Sequence, residues 1–474
     1  GIRMNSPSMS FQQRVSHALA DGQLRIALDR TTERFTSKRV AGLASLPDAD
    51  AVRDHARSIR LHTLSKLDDY LEQFEANVTS VGGQVHWASD AQEANEIVLD
   101  LARSRSVKRV VKSKSMVSEE TELNQALISG GLDVVESDLG EYIIQLAGET
   151  PSHIIAPAVH KTREQVGQLL ADKLGVPMTD DPVEMTATAR SALRDVFLQS
   201  EMGISGVNFG VASTGSLAIV TNEGNASLTV TAPRIHVAMM GIERIVPTLD
   251  DLAVMLLVLA RSATGQKLTV YTDLLTGPRR GDPDGPEELH VVLLDNGRSR
   301  LIGTEVSEVL ACIRCGACLN ACPVYQQIGG HAYGSVYSGP VGAVLTPSLD
   351  REGPWHVLPE ASSLCGACRE VCPVRIDIPR MLLALRAETV HSGKGNRWVR
   401  VGFWLYRIAA TKPWLFRCGV SVVRQLTKMF FVNGWLLRLP SPLPSWTRSR
   451  EFPVIASRTF SEEMRDREEG SGDE

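Results

Sequence analysis

Seven of the eight cysteines lie between Cys312 and Cys372, and no other feature constrains the chain as tightly. The first group reads Cys312-x2-Cys315-x2-Cys318-x3-Cys322-Pro323, and the second reads Cys365-x2-Cys368-x3-Cys372-Pro373. Set over each other fifty residues apart, 315–324 and 365–374 agree at seven of ten positions, every cysteine included, so the segment is an internal repeat. Two-residue gaps let one turn present several soft thiolates to iron, while Gly316, Ala317, Gly366 and Ala367 allow close backbone approach. Such spacing, closed by Cys-Pro, predicts two iron-sulfur clusters in which the cysteine before each proline serves the other half's cluster. That rule gives Cys312, Cys315, Cys318 and Cys372 to one 4Fe-4S cluster and leaves Cys322, Cys365 and Cys368 for the second. Ser362 stands where the second motif's first cysteine would be. The second cluster is therefore expected as a three-iron form or with a ligand from elsewhere, His331 and His356 being two candidates. A structural zinc site and disulfides are the alternatives. Zinc favours paired two-cysteine knuckles over a run of four, and disulfides go with a secretory signal, of which Gly1 to Gln13 carries none.

At 474 residues the chain exceeds one core and is expected to hold two to four domains. Its 43% hydrophobic and 22% charged content is that of a soluble globular protein, and a net charge of -5 gives no argument for nucleic acid as the main partner. No uninterrupted apolar stretch of eighteen occurs, so no transmembrane helix is expected. With thiolate-bound clusters, these features place the chain in a reducing cytoplasm.

Residues 1–50 read as a peripheral arm with a helix at Arg14 to Asp29. From Val52, the positions Val52, Ala56, Ile59, Leu64, Leu67, Leu71, Phe74 and Val78 predict an amphipathic helix ended by Gly82-Gly83. Beyond it, strands are expected at 107–111, 132–135, 153–156, 206–209, 217–221, 235–240, 268–271 and 290–294. They alternate with helices at 91–104, 161–174, 182–199 and 249–262, which argues an α/β domain over 51–300 with a largely parallel sheet. Two stretches there could converge on a ligand. In Lys112-Ser113-Lys114-Ser115-Met116, Lys112, Lys114 and exposed amides could meet an anion at a helix start. The second comprises Ser213-Thr214-Gly215-Ser216 and Thr221-Asn222-Glu223-Gly224-Asn225, with Thr214, Gly215, Asn222 and Glu223 as candidates. A solvated strand end and two tight turns are the plainer readings, and spacing alone favours them.

Residues 301–390 form the α-helical, ferredoxin-like module, ending in a helix at 376–387. Its glycine- and aromatic-rich loop 324–364 either covers the clusters or simply packs. From 391 to 474 the chain is helical, aromatic and basic: Trp398, Phe403-Trp404-Leu405-Tyr406, Trp414-Leu415-Phe416, Phe430-Phe431 and Trp435-Leu436-Leu437. A lone surface helix cannot bury that many rings, so they cover the cluster module, meet a partner subunit or lie peripherally at a membrane face. Cys418 reads as a buried small hydrophobe, and 461–474 as a disordered charged end.

Several segments resemble the lactate-utilisation (LUD) domain family: Val111 to Met116, Asp138-Leu139-Gly140-Glu141-Tyr142, Pro151-Ser152-His153, Val220 to Asn225 and Gly241 to Thr248. The likeness continues through Asp295-Asn296-Gly297-Arg298 and the first cysteine motif to Ile328-Gly329-Gly330-His331-Ala332-Tyr333-Gly334. Ser213 departs from the pattern, since these domains usually carry an acidic residue there. The resemblance implies a sheet like that of CoA transferases and sugar-phosphate isomerases, a kinship that transfers no function by itself. A LUD domain followed by a ferredoxin-like module is similar to the iron-sulfur subunit of three-component systems that oxidise L-lactate to pyruvate. It implies an electron-transfer role with LutA-like and LutC-like partners, the electron acceptor unassigned. Two rival classes remain at this level. One is an enzyme whose incompletely ligated cluster acts as a Lewis acid on a hydroxy acid; the other is an α/β module binding a phosphate or CoA-like ligand, with purely structural clusters. No catalytic triad, nucleotide-binding glycine fingerprint or carboxylate metal motif appears, so no catalytic residue is assigned.

Overall fold

Among the described residues of the computed structural model, four helices precede the first strand: α1 (Phe11–Ala20), α2 (Gly22–Ala44), α3 (Ala49–Ser65) and α4 (Leu67–Ser80). The structure describes residues 9–279, 281, 284–393 and 397–427, and beyond them 435–436, 447, 450–453, 456, 458–460 and 462–465. Asp21 accepts from the amides of Gln23 and Leu24. This N-cap starts α2 afresh and splits the helix expected at Arg14 to Asp29. Likewise the helix expected from Val52 to Val78 breaks at Lys66, whose φ of -134° is non-helical. The N-terminal segment is not peripheral. Leu28 is fully buried in the same core as Tyr325 and Ile328, and α2 packs along the Ala317–Asn320 helix of the first cysteine motif.

Among the described residues ten strands follow before the cysteine motifs: β1 (Gln84–Ala88), β2 (Arg109–Lys112), β3 (Asp133–Glu136), β4 (Met202–Gly206), β5 (Phe209–Val211), β6 (Ser216–Thr221), β7 (Ile235–Gly241), β8 (Ile245–Val246), β9 (Tyr271–Leu275) and β10 (Glu288–Leu294). Six form one sheet in the order β1-β10-β7-β4-β2-β3, with every neighbouring pair parallel. Every residue of β7 is buried, which is why it reads as an apolar run without alternation. A second sheet, β8-β5-β6-β9, mixes parallel and antiparallel pairs. Three expected strands shift. Residues 153–156 are irregular, 206–209 straddle the junction of β4 and β5, and β9 begins where the expected 268–271 ends. The edge strand β1 has no counterpart among the expected strands.

Residues up to Thr389 form one unit and those from Val390 another. The second unit holds helices Arg397–Ala410 and Pro413–Thr427, which pack on each other. Trp398, Phe403, Trp404, Tyr406 and Trp414 are exposed. Cys418 is exposed too, correcting its reading as buried, because the helix carrying it leaves that side uncovered. Phe430, Phe431, Leu437 and most of 461–474 lie outside the described residues. Among the described residues, no helix is long and apolar enough to cross a membrane.

Candidate iron-sulfur centre and adjoining cavity

The two halves of the repeat adopt one backbone. Arg314 and Leu364 have φ of 59° and 56°, and Gly316 and Gly366 follow at 74° and 84°. Glycine takes such angles without steric cost. One-turn helices, Ala317–Asn320 and Ala367–Glu370, come next, and the amides of Cys322 and Cys372 then donate to Leu319 and Arg369 carbonyls, each at 3.2 Å.

Cys312, Cys315, Cys318 and Cys372 line one small cavity, walled by Ile154, Ile313, Val341 and Ile378. Burial raises the Cys318 thiol well above its usual range, and Cys312, Cys315, Cys372 and then Cys368 add to the effect. The other three thiols form a second group. Burial pushes Cys368 up to about 12, with Cys322 and then Cys365 contributing; burial and then Cys365 raise Cys322. All seven are free of disulfides. Crowded buried thiols of this kind lose their protons only to a cation, so the donor set fits soft, thiolate-bound iron. Cys315 and Cys372 are buried, whereas Cys365 is exposed, so the second group reaches the surface.

Arginines surround the motifs, and the sequence reading did not find them. Arg53 donates to the Cys372 carbonyl at 2.9 Å, and Arg39 to that of Val371 at 2.9 Å. Arg60, fully buried, donates to carbonyls of Ala311, Leu310 and Ile245, and Arg244 donates to Cys312 O at 2.9 Å. Their available signal is the series Arg53, Arg57, Arg60 at helical spacing beside the apolar stripe of α3. A buried His153 ties the α/β domain to this module: its Nε2 meets Asn320 Oδ1 at 3.1 Å, and its Nδ1 accepts from the amides of Ile155 and Ala156. Burial holds its pKa down to about 4, so the ring is neutral. The loop 324–364 is core, with Tyr325, Tyr333, Tyr337 and Trp355 fully buried, and its Val341 also walls the first cavity.

The candidates in the α/β domain separate. Lys112 is buried and held by Glu136 at 2.7 Å and Glu119 at 3.1 Å, so its charge is spent internally. Thr214 and Gly215 make the β5-β6 turn. Thr214 Oγ1 donates to Ser216 Oγ at 2.8 Å, and Gly215 lies so close to Asn77 and Val78 of α4 that a Cβ would clash. Lys114, Asn222 and Glu223 do come together, lining a cavity of about 310 Å³. Arg244, Arg314 and Tyr337 share its wall, and none of them was a candidate from sequence. Because Arg314 lies between Cys312 and Cys315 and also borders their cavity, this pocket adjoins the first thiolate group. Lys114 Nζ and Arg314 Nη1 have no hydrogen-bond partner. His331 is turned away from the cysteines, its Nε2 on the Thr150 carbonyl at 2.7 Å.

The LUD domain family model matches residues 71–294, and the 4Fe-4S dicluster domain model matches 308–376. Lactate utilization protein B of Bacillus licheniformis is 43% identical over 100% of both chains. The chain belongs to the lactate utilization protein B family. Proteins of the same name from Geobacillus thermodenitrificans and Shouchella clausii are 45% and 44% identical, over 97% and 98% of each chain respectively. The order of modules is thus a LUD domain with a parallel α/β core, then a 4Fe-4S dicluster domain.

Proposed function

We propose that this chain is the iron-sulfur electron-transfer subunit of a multi-protein complex that oxidises L-lactate to pyruvate, acting with LutA-like and LutC-like subunits and not catalytic alone. The observation that carries the reading is the division of the cysteines into a walled-in set, Cys312, Cys315, Cys318 and Cys372, and a set reaching the surface, Cys322, Cys365 and Cys368. The first set would hold a 4Fe-4S cluster and the second another cluster. When bound, such clusters accept and release single electrons. The chain's own residues set the conditions. Ile154, Val341 and Ile378 keep water from the first set, and the arginines around it offset the negative charge of thiolates, which favours the reduced state. Exposed Cys365 marks the side where electrons would pass to or from a partner. The exposed aromatics of the C-terminal unit would serve that partner or a peripheral membrane contact, in a cytoplasmic setting.

The cavity beside Arg314 supports a second reading, in which this chain also binds an organic ligand through Lys114, Asn222 and Glu223. Anaerobic co-purification with partner subunits should give clusters that lactate reduces, while the single chain holds iron and sulfide but oxidises no lactate. Sustained lactate turnover by the pure chain with an artificial acceptor would refute the subunit reading, and dehydration of a hydroxy acid without any redox response of the clusters would favour the Lewis-acid alternative.

A further inference from the structure

The repeat places a specific atom where the second cysteine set lacks one. Ser362 lies three residues before Cys365, as Cys312 lies three before Cys315. In the first half, the Arg314 amide donates to Cys312 Sγ at 3.4 Å; in the second, the Leu364 amide donates to Ser362 Oγ at 3.1 Å. Both donor residues are left-handed, at 59° and 56°, in positions where a side chain is rarely at ease. The second loop therefore keeps an uncommon conformation that brings an amide to a side-chain heteroatom, with oxygen in the place of sulfur.

The serine is also held. Arg386 Nη2 donates to the Ser362 carbonyl at 2.9 Å and Arg386 Nε to that of Pro359 at 2.9 Å, while the Ser362 amide donates to Glu360 O at 2.8 Å. These bonds fix the backbone and leave Oγ as the part free to meet a ligand. Residue 362 is half-buried, and the neighbouring Cys365 is exposed. His331, the other candidate for which partners are seen, is engaged at Thr150 and packs edge-on against His160 at 4.6 Å.

We propose that the Ser362 hydroxyl oxygen is the fourth protein ligand of the second cluster, completing Cys322, Cys365 and Cys368. This deepens the two-cluster reading and rests on it. Binding forms an iron-oxygen bond and releases the hydroxyl proton to water, and the Leu364 N–H stabilises the resulting oxyanion as amides stabilise cluster thiolates. Oxygen is a harder donor than thiolate, so one iron corner differs from the other three and is the first to leave.

Mössbauer and electron paramagnetic resonance spectra of the anaerobically reconstituted full-length chain test this, with iron counted per chain. Wild type should show a four-iron second cluster with one distinguishable iron. Ser362→Ala should lose that iron at least about tenfold faster under mild oxidation, giving a three-iron signal. Ser362→Cys should abolish the distinct iron and slow its loss. The first cluster's signal reports whether each variant has folded. Two intact clusters with Ser362→Ala indifferent overturn the serine's role alone, as does release of the iron by His356→Ala in place of Ser362→Ala. Iron sufficient for a single cluster in wild type overturns the two-cluster reading and the serine with it.

Discussion

Glu120, Glu243 and Glu141 are all buried carboxyls, yet they respond to pH in opposite directions. Burial alone would raise the pKa of each. For Glu120 and Glu243 the fully buried Arg298, 2.7 Å from both, outweighs burial and holds them below the usual carboxylate range. Their contribution to stability is present above about pH 4.5 and is lost as the pH falls through their lowered values. For Glu141 burial, joined by the nearby Glu136 and Glu119, outweighs Lys114, 3.8 Å away, and the weaker pull of Lys112, and it is pushed up to about 8. Its neutral form is the folded one. Its contribution is therefore complete below the unperturbed 4.5 and fades as the pH rises toward about 8. Glu141→Gln keeps the neutral state at every pH, so its stability relative to wild type should rise between those limits and stay level at the higher value above about 8. Urea denaturation midpoints across that range will show it; a pH-independent difference would mean that Glu141 is ionised in the fold.

At the scale of elements, α2 and α3 act as a cationic bracket on the cysteine motifs. Arg39 and Arg53 hold the turn between Val371 and Cys372 by its carbonyls, and Arg39 lies near enough to Cys315 and Cys372 for their charges to act on it. Removing a fixed positive charge disfavours the added electron. Arg53→Gln should lower the reduction potential of the first cluster by tens of millivolts and leave the second nearly unchanged, as read in a redox titration followed by electron paramagnetic resonance. Equal shifts in both would assign Arg53 a general structural role. This bracket was illegible in the sequence, because an arginine that serves carbonyls looks like a solvated one until the chain returns 320 or so residues later to supply them. What depends on local chemistry was legible. The helices Ala91–Ser104 and Pro182–Gln199 start and stop where their caps Asp90 and Asp181 and their apolar spacing require. The cysteine spacing likewise needed no tertiary knowledge. Residues 153–156 misled for the reverse reason: the Ser152 amide bonds Pro157 O and the His153 ring takes two amides of its own segment, so an apolar run becomes a closed turn. Lys112 and Lys114 looked equivalent, yet β2 ends at Lys112: the last strand residue points into the acidic interior, while Lys114, in the irregular segment beyond it, reaches the cavity.

For the whole molecule, the division at Thr389 separates the cluster-bearing unit from the aromatic C-terminal one. The first has its own cores: one takes in α2, the cysteine motifs and the Ile378–His391 helix, and two others pack on the main parallel sheet. It should therefore fold and hold iron without the second. The second unit presents Trp398, Phe403, Trp404, Tyr406 and Trp414 to solvent. Each ring offers roughly 150–250 Å² of buriable surface, so together they approach the roughly 1,000 Å² that a specific interface requires. Arg400 and Arg407 share a helix with the first four of these aromatics, the mixture favoured at protein interfaces and anionic surfaces alike. A chain ending at Thr389 should thus keep its cluster spectra and its thermal unfolding, yet fail to co-purify with its partner subunits. Loss of iron from the truncated chain would make the C-terminal unit part of the cluster fold. Undiminished co-purification would free the aromatics from a partner role, and flotation of the full-length chain with anionic vesicles, set against that of the truncated one, would then decide whether a membrane face is what they meet.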